Sequence, residues 1–139
     1  MKKEGCIRLV AASLFFTGLF AFTLGTGLSA QYAGWTIPEG GKDEKSPIAS
    51  PPAVSAKGKA LFGTNCQKCH GPAGQGDGPD SNGAAADLTD EFRIELNPEG
   101  VLHHKVWNGH PPEMPAFKST LTKEEVWTLV EYLKALRQP

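Results

Sequence analysis

Five consecutive residues, Cys66-Gln67-Lys68-Cys69-His70, constrain this chain more than any other feature of its sequence. In such a C-x-x-C-H arrangement, one helical turn carries both thiols, and each can add to a vinyl group on the same edge of a porphyrin. The histidine that follows is then held beneath the ring, where its imidazole nitrogen can bind the iron. The motif predicts one haem c, attached covalently through two thioethers.

Two other interpretations of the motif are open. A zinc site would need further ligands, which His103, His104 or His110 could supply, but the sequence has no second C-x-x-C and no H-x-x-x-H. A thioredoxin-like redox pair would need a strand followed by a helix, a context absent around Cys66 and Cys69. With three cysteines in all, the chain also lacks the material for a disulfide framework.

A second axial ligand is predicted at Met114. It is the only methionine besides the initiator, and it lies in a proline-bracketed loop 44 residues after His70, far enough to reach the other face of the ring. A thioether is a soft ligand for ferrous iron, and Met/His ligation raises the reduction potential. His110 is the main alternative, because a second imidazole would also fill the site. His103 and His104 fall inside a predicted helix and are expected at the surface.

The first 30 residues predict export. A basic start is followed by 22 uncharged residues, Leu9 to Ala30. Residues 1–30 are therefore either a signal peptide cleaved after Ala30 or an N-terminal membrane anchor, since 22 helical residues span about 33 Å. Either way, the positive flank places the body of the protein in the periplasm, soluble or tethered to the outer face of the cytoplasmic membrane.

Residues 31–52 have the composition of a Pro/Gly-rich linker, and residues 53–139 are predicted to form the folded domain. We interpret the linker as a tether. The alternative is an arm that docks a partner through Trp35 and Ile37.

Helix signals predict an all-α domain of three to four helices with long loops. Ser55 is a candidate N-cap for the first helix, Asn97 caps a second that ends at Gly109, and Thr122 with Glu125 forms a capping box for the last. Apolar residues recur at helical spacing in this last helix: Val126, Leu129, Val130, Leu133 and Leu136.

From about residue 55 to residue 137 the chain resembles the class I c-type cytochromes in their bacterial monohaem form. Besides the haem motif and the Met-Pro loop, the resemblance rests on four helix positions. In that family, a glycine and an aromatic residue of the N-terminal helix pack across a leucine and an aromatic residue of the C-terminal helix. The corresponding residues here are Gly58, Phe62, Leu129 and Tyr132.

The resemblance implies a small cytochrome c fold around one covalent haem. It implies that Cys66 and Cys69 bind the haem, that His70 is the proximal ligand and that Met114 is the distal ligand. It also makes Pro79 a candidate for the backbone carbonyl that accepts the other ring N–H of His70, a contact that fixes the imidazole tautomer.

The expected function is that of a single-electron carrier, not an enzyme, in a periplasmic respiratory or photosynthetic electron-transport chain. One alternative is a fixed subunit of a membrane oxidoreductase complex, and a more remote one is a haem enzyme or gas sensor with open iron. The expected partners are redox proteins that donate and accept electrons. A formal net charge of −1 offers no polybasic footprint for nucleic acid.

Overall fold

The computed structural model describes residues 32–49 and 52–137, so the predicted signal peptide or anchor, residues 1–30, lies outside the described residues. Within these ranges no helix is both long enough and apolar enough to cross a membrane. A short 3-10 helix is followed by five α-helices: Gly41–Asp43, then α1 (Pro52–Asn65), α2 (Gln67–His70), α3 (Glu91–Leu96), α4 (Glu99–Asn108) and α5 (Lys123–Leu136).

The all-α prediction is confirmed: the described residues contain no β-strand, only an isolated bridge between His110 and Met114. Five α-helices form instead of three to four, because the attachment motif makes its own short helix, α2, and a further short helix, α3, precedes α4. Helices this short carry too few periodic positions to be recognised from sequence.

Two predicted helix starts are wrong, while the predicted end of α4 and the predicted start of α5 are confirmed. Ser55 lies inside α1, which already begins at Pro52. Asn97 does not cap α4, because its amide instead donates to the carbonyl of Arg93 and accepts from Lys105. Gly109 ends α4 with φ 63°, a conformation that glycine adopts without strain.

Helices α1 and α5 cross closely at Gly58. A Cβ at this position would lie 2.5 Å from Cβ of Tyr132 and 2.8 Å from the carbonyl oxygen of Thr128. One turn further along, the ring of Phe62 packs against that of Tyr132, with centroids 5.5 Å apart. Leu129 is buried in the same cluster. The crossing implied by the resemblance is therefore confirmed.

Helix α5 is the centre of the domain and not an amphipathic surface helix. Its capping box is present, with the Thr122 hydroxyl accepting from the Glu125 N–H and the Glu125 carboxylate accepting from the Thr122 N–H. Every residue from 126 to 133 is buried. One face packs on α1, and the other carries Trp127 and Val130, which form a second cluster with Leu102 of α4.

Residues 32–49, which we call the N-terminal arm, pack on the domain. The Tyr32 hydroxyl donates to the carbonyl of Leu96 at 3.1 Å, and the Asn108 amide donates to the carbonyl of Thr36 at 2.8 Å. Ile48 packs against the second core cluster. The described part of this segment therefore lies on the domain through a hydroxyl, a carbonyl and an apolar side chain. Its interpretation as a tether stays a prediction.

A glycine of α4 allows the arm to approach this closely. Gly100 is buried, and a Cβ there would overlap the carbonyl oxygen of Gly41 and lie 2.9 Å from that of Glu44. The arm backbone therefore lies directly on the first turn of α4.

Candidate functional site

The attachment motif forms a tight turn at the end of α1. Cys66 donates its N–H to the carbonyl of Phe62 at 2.9 Å, which continues α1, and its own carbonyl accepts from Cys69 at 3.1 Å and from His70 at 2.9 Å. The side chains of Cys66, Cys69 and His70 all border one cleft, and neither cysteine forms a disulfide. The helical turn thus brings both thiols and the imidazole to one site, as the sequence predicts.

A backbone carbonyl holds the His70 ring. Its Nδ1 lies 3.0 Å from the carbonyl oxygen of Ala86, and a bond donated there leaves Nε2 as the free lone pair that a metal requires. Pro79, the candidate named for this carbonyl, is exposed and does not border the cleft in this structure, so its role stays a prediction.

The path of the loop explains the difference. After the motif, the chain folds back along the turn, with Gly76 donating to the His70 carbonyl at 2.8 Å and Gly78 to the Cys69 carbonyl at 3.1 Å. A Cβ on Gly78 would overlap the Lys68 carbonyl, so the loop must be glycine-rich to lie this close. The chain therefore reaches the His70 ring only after this loop has turned back, at Ala86.

The cleft has a volume of about 640 Å³. Cofactor and small-molecule sites generally occupy about 300–1,000 Å³, so the volume suits a single cofactor. Helices α1, α4 and α5 contribute to its walls, and much of its lining is apolar. The apolar lining residues are Phe62, Leu88, Leu102, Val106, Phe117, Leu129 and Leu133.

Met114 and its main alternative, His110, both border the cleft. They are joined by two backbone hydrogen bonds of 2.8 and 3.0 Å, which close the loop between them into a fixed turn. Met114 packs against the main core cluster. The His110 ring instead contacts Trp35 of the arm, with centroids 5.0 Å apart. Met114 stays the predicted ligand, and the contact with Trp35 gives His110 a separate structural role.

Cationic side chains line another part of the cleft. Lys105 and Arg137 border it together with Arg93, and Lys105 and Arg137 have no carboxylate within salt-bridge distance among the described residues. Burial lowers the pKa of Lys105, and Arg93 lowers it further. Burial also lowers the pKa of Arg137, whose Nε donates to the Leu88 carbonyl at 2.9 Å. Half-buried cations that lack a carboxylate favour an anionic group from a ligand.

The arm contributes to the cleft as well. Trp35 borders it, and Lys105 lies over the Trp35 ring, with Nζ 4.6 Å from the ring centroid. Its ammonium is thus held between an aromatic face and the Asn97 side-chain oxygen, at 2.7 Å.

As a free thiol, Cys66 is poorly suited to disulfide exchange. Burial, with a smaller contribution from Cys69, raises the pKa of the Cys66 thiol to about 12. The thiolate is the nucleophile and the metal ligand, so such a thiol is largely unreactive at neutral pH. This argues against the thioredoxin-like interpretation of the motif.

The residues around the cleft fit a covalent haem. Two thiols and a tautomer-fixed imidazole lie on one side, and a methionine thioether stands on a fixed turn. The apolar walls suit the porphyrin, and the cationic side chains suit its carboxylates.

Several residues of this site are not recognisable from the sequence as part of it. Ala86, Lys105, Arg137 and Trp35 carry no local signal, because an alanine carbonyl, a helix lysine or an arm tryptophan becomes significant only through what folds against it. His103 was expected at the surface, but it is buried with 3% of its area exposed.

Comparisons with known proteins agree with this site. The sequence model of the cytochrome c family matches residues 55–137. The chain is similar to the cbb3-type cytochrome c oxidase subunit FixP of Bradyrhizobium diazoefficiens, with 29% identity over 82 residues. That match covers 59% of this chain and 27% of FixP, so the chain spans about a quarter of the length of this curated relative.

The chain is also similar to solved structures. The c-type cytochrome KustC0563 is similar with a TM-score of 0.54 and 26% identity, over 58% of this chain and 98% of that one. A chain of the Kuenenia stuttgartiensis reducing HAO-like protein complex Kustc0457/Kustc0458 is similar with a TM-score of 0.58 and 27% identity. In that case the match covers 66% of this chain and 47% of the other.

The family match spans more than half of the chain and includes the attachment motif, the Met-Pro loop and the α1–α5 crossing. The predicted all-α cytochrome c fold is thereby confirmed. The chain belongs to the cytochrome c family and is a c-type cytochrome of electron transport.

Proposed function

We propose that this protein is a single-electron carrier with one haem c, attached through Cys66 and Cys69 and bound axially by His70 and Met114. The observation that carries the proposal is that one apolar cleft is bordered by both thiols, by the His70 ring and by Met114. When bound, haem supplies an iron centre that changes its charge by one electron.

The protein's own residues hold the ligands in place for both oxidation states. The Ala86 carbonyl fixes the His70 tautomer, and the two backbone bonds between His110 and Met114 fix the distal loop. If the ligands need not move between the oxidised and reduced states, the reorganisation energy of electron transfer is small. The buried α1–α5 crossing supports this rigidity, because Cys66 and Met114 pack against its core cluster.

We further propose that the protein is not an enzyme. His70 and Met114 would both hold the iron, and the iron would then have no position open to oxygen, peroxide or another substrate. The apolar part of the cleft lining suits a cofactor that exchanges electrons with other proteins.

Lys105 and Arg137 are assigned to the anionic side groups of the haem. Lys105→Gln is expected to lower the reduction potential by on the order of tens of millivolts, because a nearby cation favours the less positive ferrous state. Spectroelectrochemical titration measures the shift. Lys59→Gln, an equal charge change at an exposed residue of α1 that does not border the cleft, is the control. Equal shifts in the two variants would contradict the assignment.

The cellular placement follows from the N-terminal sequence. We propose that the domain works in the periplasm, soluble or held at the outer face of the cytoplasmic membrane by residues 1–30, and that redox proteins donate and accept its electrons. The export signal and the covalent attachment motif support this placement, since thioethers retain the cofactor outside the membrane.

A second candidate is a fixed subunit of a membrane oxidoreductase complex. The similarity to FixP, an oxidase subunit, and to a chain of a multi-protein complex favours it. Co-purification with membrane partners after a salt wash would support this candidate, whereas a free monomer would favour the diffusing carrier.

The proposed function is tested by absorption spectra of the purified ferric and ferrous protein, with and without carbon monoxide. We expect a low-spin c-type spectrum, the weak long-wavelength ferric band that methionine ligation gives, and no change on adding carbon monoxide. A high-spin spectrum that shifts with carbon monoxide would instead indicate open iron, and a haem enzyme or gas sensor would replace the carrier.

A further inference from the structure

Three potential metal ligands meet where the arm crosses α4, away from the haem cleft. They are the carboxylate of Glu44 from the arm and the imidazoles of His103 and His104 from α4, and one ligand atom of each lies within 4.8 Å of the other two. None of the three borders the cleft. Nε2 of His104 is 3.1 Å from Oε1 of Glu44.

His103 is the unusual member of this cluster. Only 3% of the residue is exposed, and neither ring nitrogen makes a well-formed hydrogen bond among the described residues, although a contact with the Lys123 backbone contributes to the pKa of the ring. The ring stacks on Trp127, with centroids 4.2 Å apart and planes at 21°. Buried polar groups are normally satisfied, so an imidazole whose two nitrogens both lack a well-formed hydrogen bond requires an explanation. A bound metal would satisfy one of them.

We propose that Glu44, His103 and His104 bind a divalent transition metal of the Zn²⁺ class, independently of the haem. Two imidazole nitrogens and one carboxylate oxygen are three typical zinc ligands, and a water molecule would complete a tetrahedron. Ligand atoms of a tetrahedral zinc lie about 3.3–3.4 Å apart, close to the 3.1 Å that already separates His104 and Glu44. The ligand atom of His103 lies within 4.8 Å of both.

Burial and charge around the cluster are compatible with such an ion. The side chain of His104 is 12% exposed and that of Glu44 is 45% exposed, so the ion has an entry path from solvent on the arm side. The Glu44 carboxylate supplies the negative charge that a cation needs. Lys123, on α5, is the opposing charge near His103.

The consequence of this site would be structural. Glu44 belongs to the arm, and both histidines belong to the domain, so the metal would join the two. The same arm carries Trp35 to the haem cleft. A metal at this position would therefore stabilise the cleft wall that the arm provides.

The test is a calorimetric titration of the haem-loaded, chelator-treated full chain with zinc sulfate. The holoprotein is used because the haem occupies Cys66, Cys69 and His70, so that these residues offer zinc no alternative site. We expect one equivalent to bind, and His104→Ala and Glu44→Gln each to weaken the affinity at least tenfold. Glu39→Gln, the same charge change in the same arm but outside the cluster, is the matched control and is expected to bind as the wild type does.

A second ligand substitution is chosen to preserve packing, so that a loss of zinc binding cannot be attributed to unfolding. His103→Phe keeps a planar ring against Trp127 and removes both nitrogens, so it is expected to fold and to lose zinc affinity at least tenfold. Trypsin supplies a second readout: zinc is expected to slow cleavage after Lys42 in the wild type and not in Glu44→Gln.

Three outcomes would overturn the proposal. Zinc binding that is equally strong in wild type, Glu44→Gln and His104→Ala would place the ion elsewhere, and so would loss of the methionine-ligation band on adding zinc. The absence of any binding at millimolar zinc would mean that His103 is an ordinary buried histidine. None of these results decides the electron-carrier proposal, because the spectra recorded without zinc test it separately.

Discussion

Met114→Ala is expected to leave the iron with a free coordination position and to lower the reduction potential by at least about 0.1 V. Changes of axial ligand can shift haem reduction potentials over a range of about 0.8 V. The thioether stabilises the ferrous state, and no other soft ligand borders the cleft on that side among the described residues. The reduced variant should therefore bind carbon monoxide, and the ferric variant should lose its long-wavelength band. Absorption spectroscopy and potentiometric titration measure both effects.

His110→Ala is the matched control, because His110 borders the same cleft and is hydrogen-bonded to Met114 only through backbone atoms. It should keep the band, stay closed to carbon monoxide and lose only the ring contact with Trp35. If His110→Ala opened the iron and Met114→Ala did not, the distal ligand would be the histidine, and the expected high potential would be wrong.

Gly58→Ala is expected to destabilise the holoprotein by about 1–3 kcal/mol, the usual cost of overpacking a tight core. The added methyl would lie 2.5 Å from Cβ of Tyr132 and 2.8 Å from the Thr128 carbonyl. Both atoms are attached closely to the α5 backbone, so the two helices must separate. Guanidinium denaturation followed by circular dichroism gives the change in the free energy of unfolding.

A second glycine of α1 provides a control, for which the opposite change in the free energy of unfolding is expected. Gly63 is exposed, and a Cβ there would meet nothing nearer than Oε1 of Gln67 at 3.6 Å. Gly63→Ala should therefore gain the helix propensity of alanine, up to about 1 kcal/mol, without a steric cost. If Gly58→Ala were equally well tolerated, the close crossing of α1 and α5 would not contribute to stability.

The chemistry of the site was determined by local sequence. A turn that carries Cys66, Cys69 and His70 places its three side chains on one side, whatever surrounds it, because i to i+4 geometry is fixed by the helix. The capping box of Thr122 and Glu125 is local in the same way. Such features depend on residues a few positions apart, so they can be predicted from the sequence alone.

The partners of those residues were decided by tertiary structure. The carbonyl that contacts the His70 ring in this structure belongs to Ala86, because the glycine loop first runs along the back of the attachment turn. Any backbone carbonyl can accept this bond. Which carbonyl accepts it depends on the path of the loop in space and cannot be predicted from the sequence.

The arm shows the same difference between what local sequence indicates and what tertiary structure decides. Its prolines, glycines and charges suit a linker, and composition alone cannot reveal that Gly100 leaves room for its backbone or that Ile48 fits the second core cluster. The burial of His103 has the same origin, since Trp127 and the arm cover a helix face that carries no apolar pattern. Sequence determined which residues can bind the haem; tertiary packing decided what surrounds them, because contacts between distant segments depend on shape and not on periodicity.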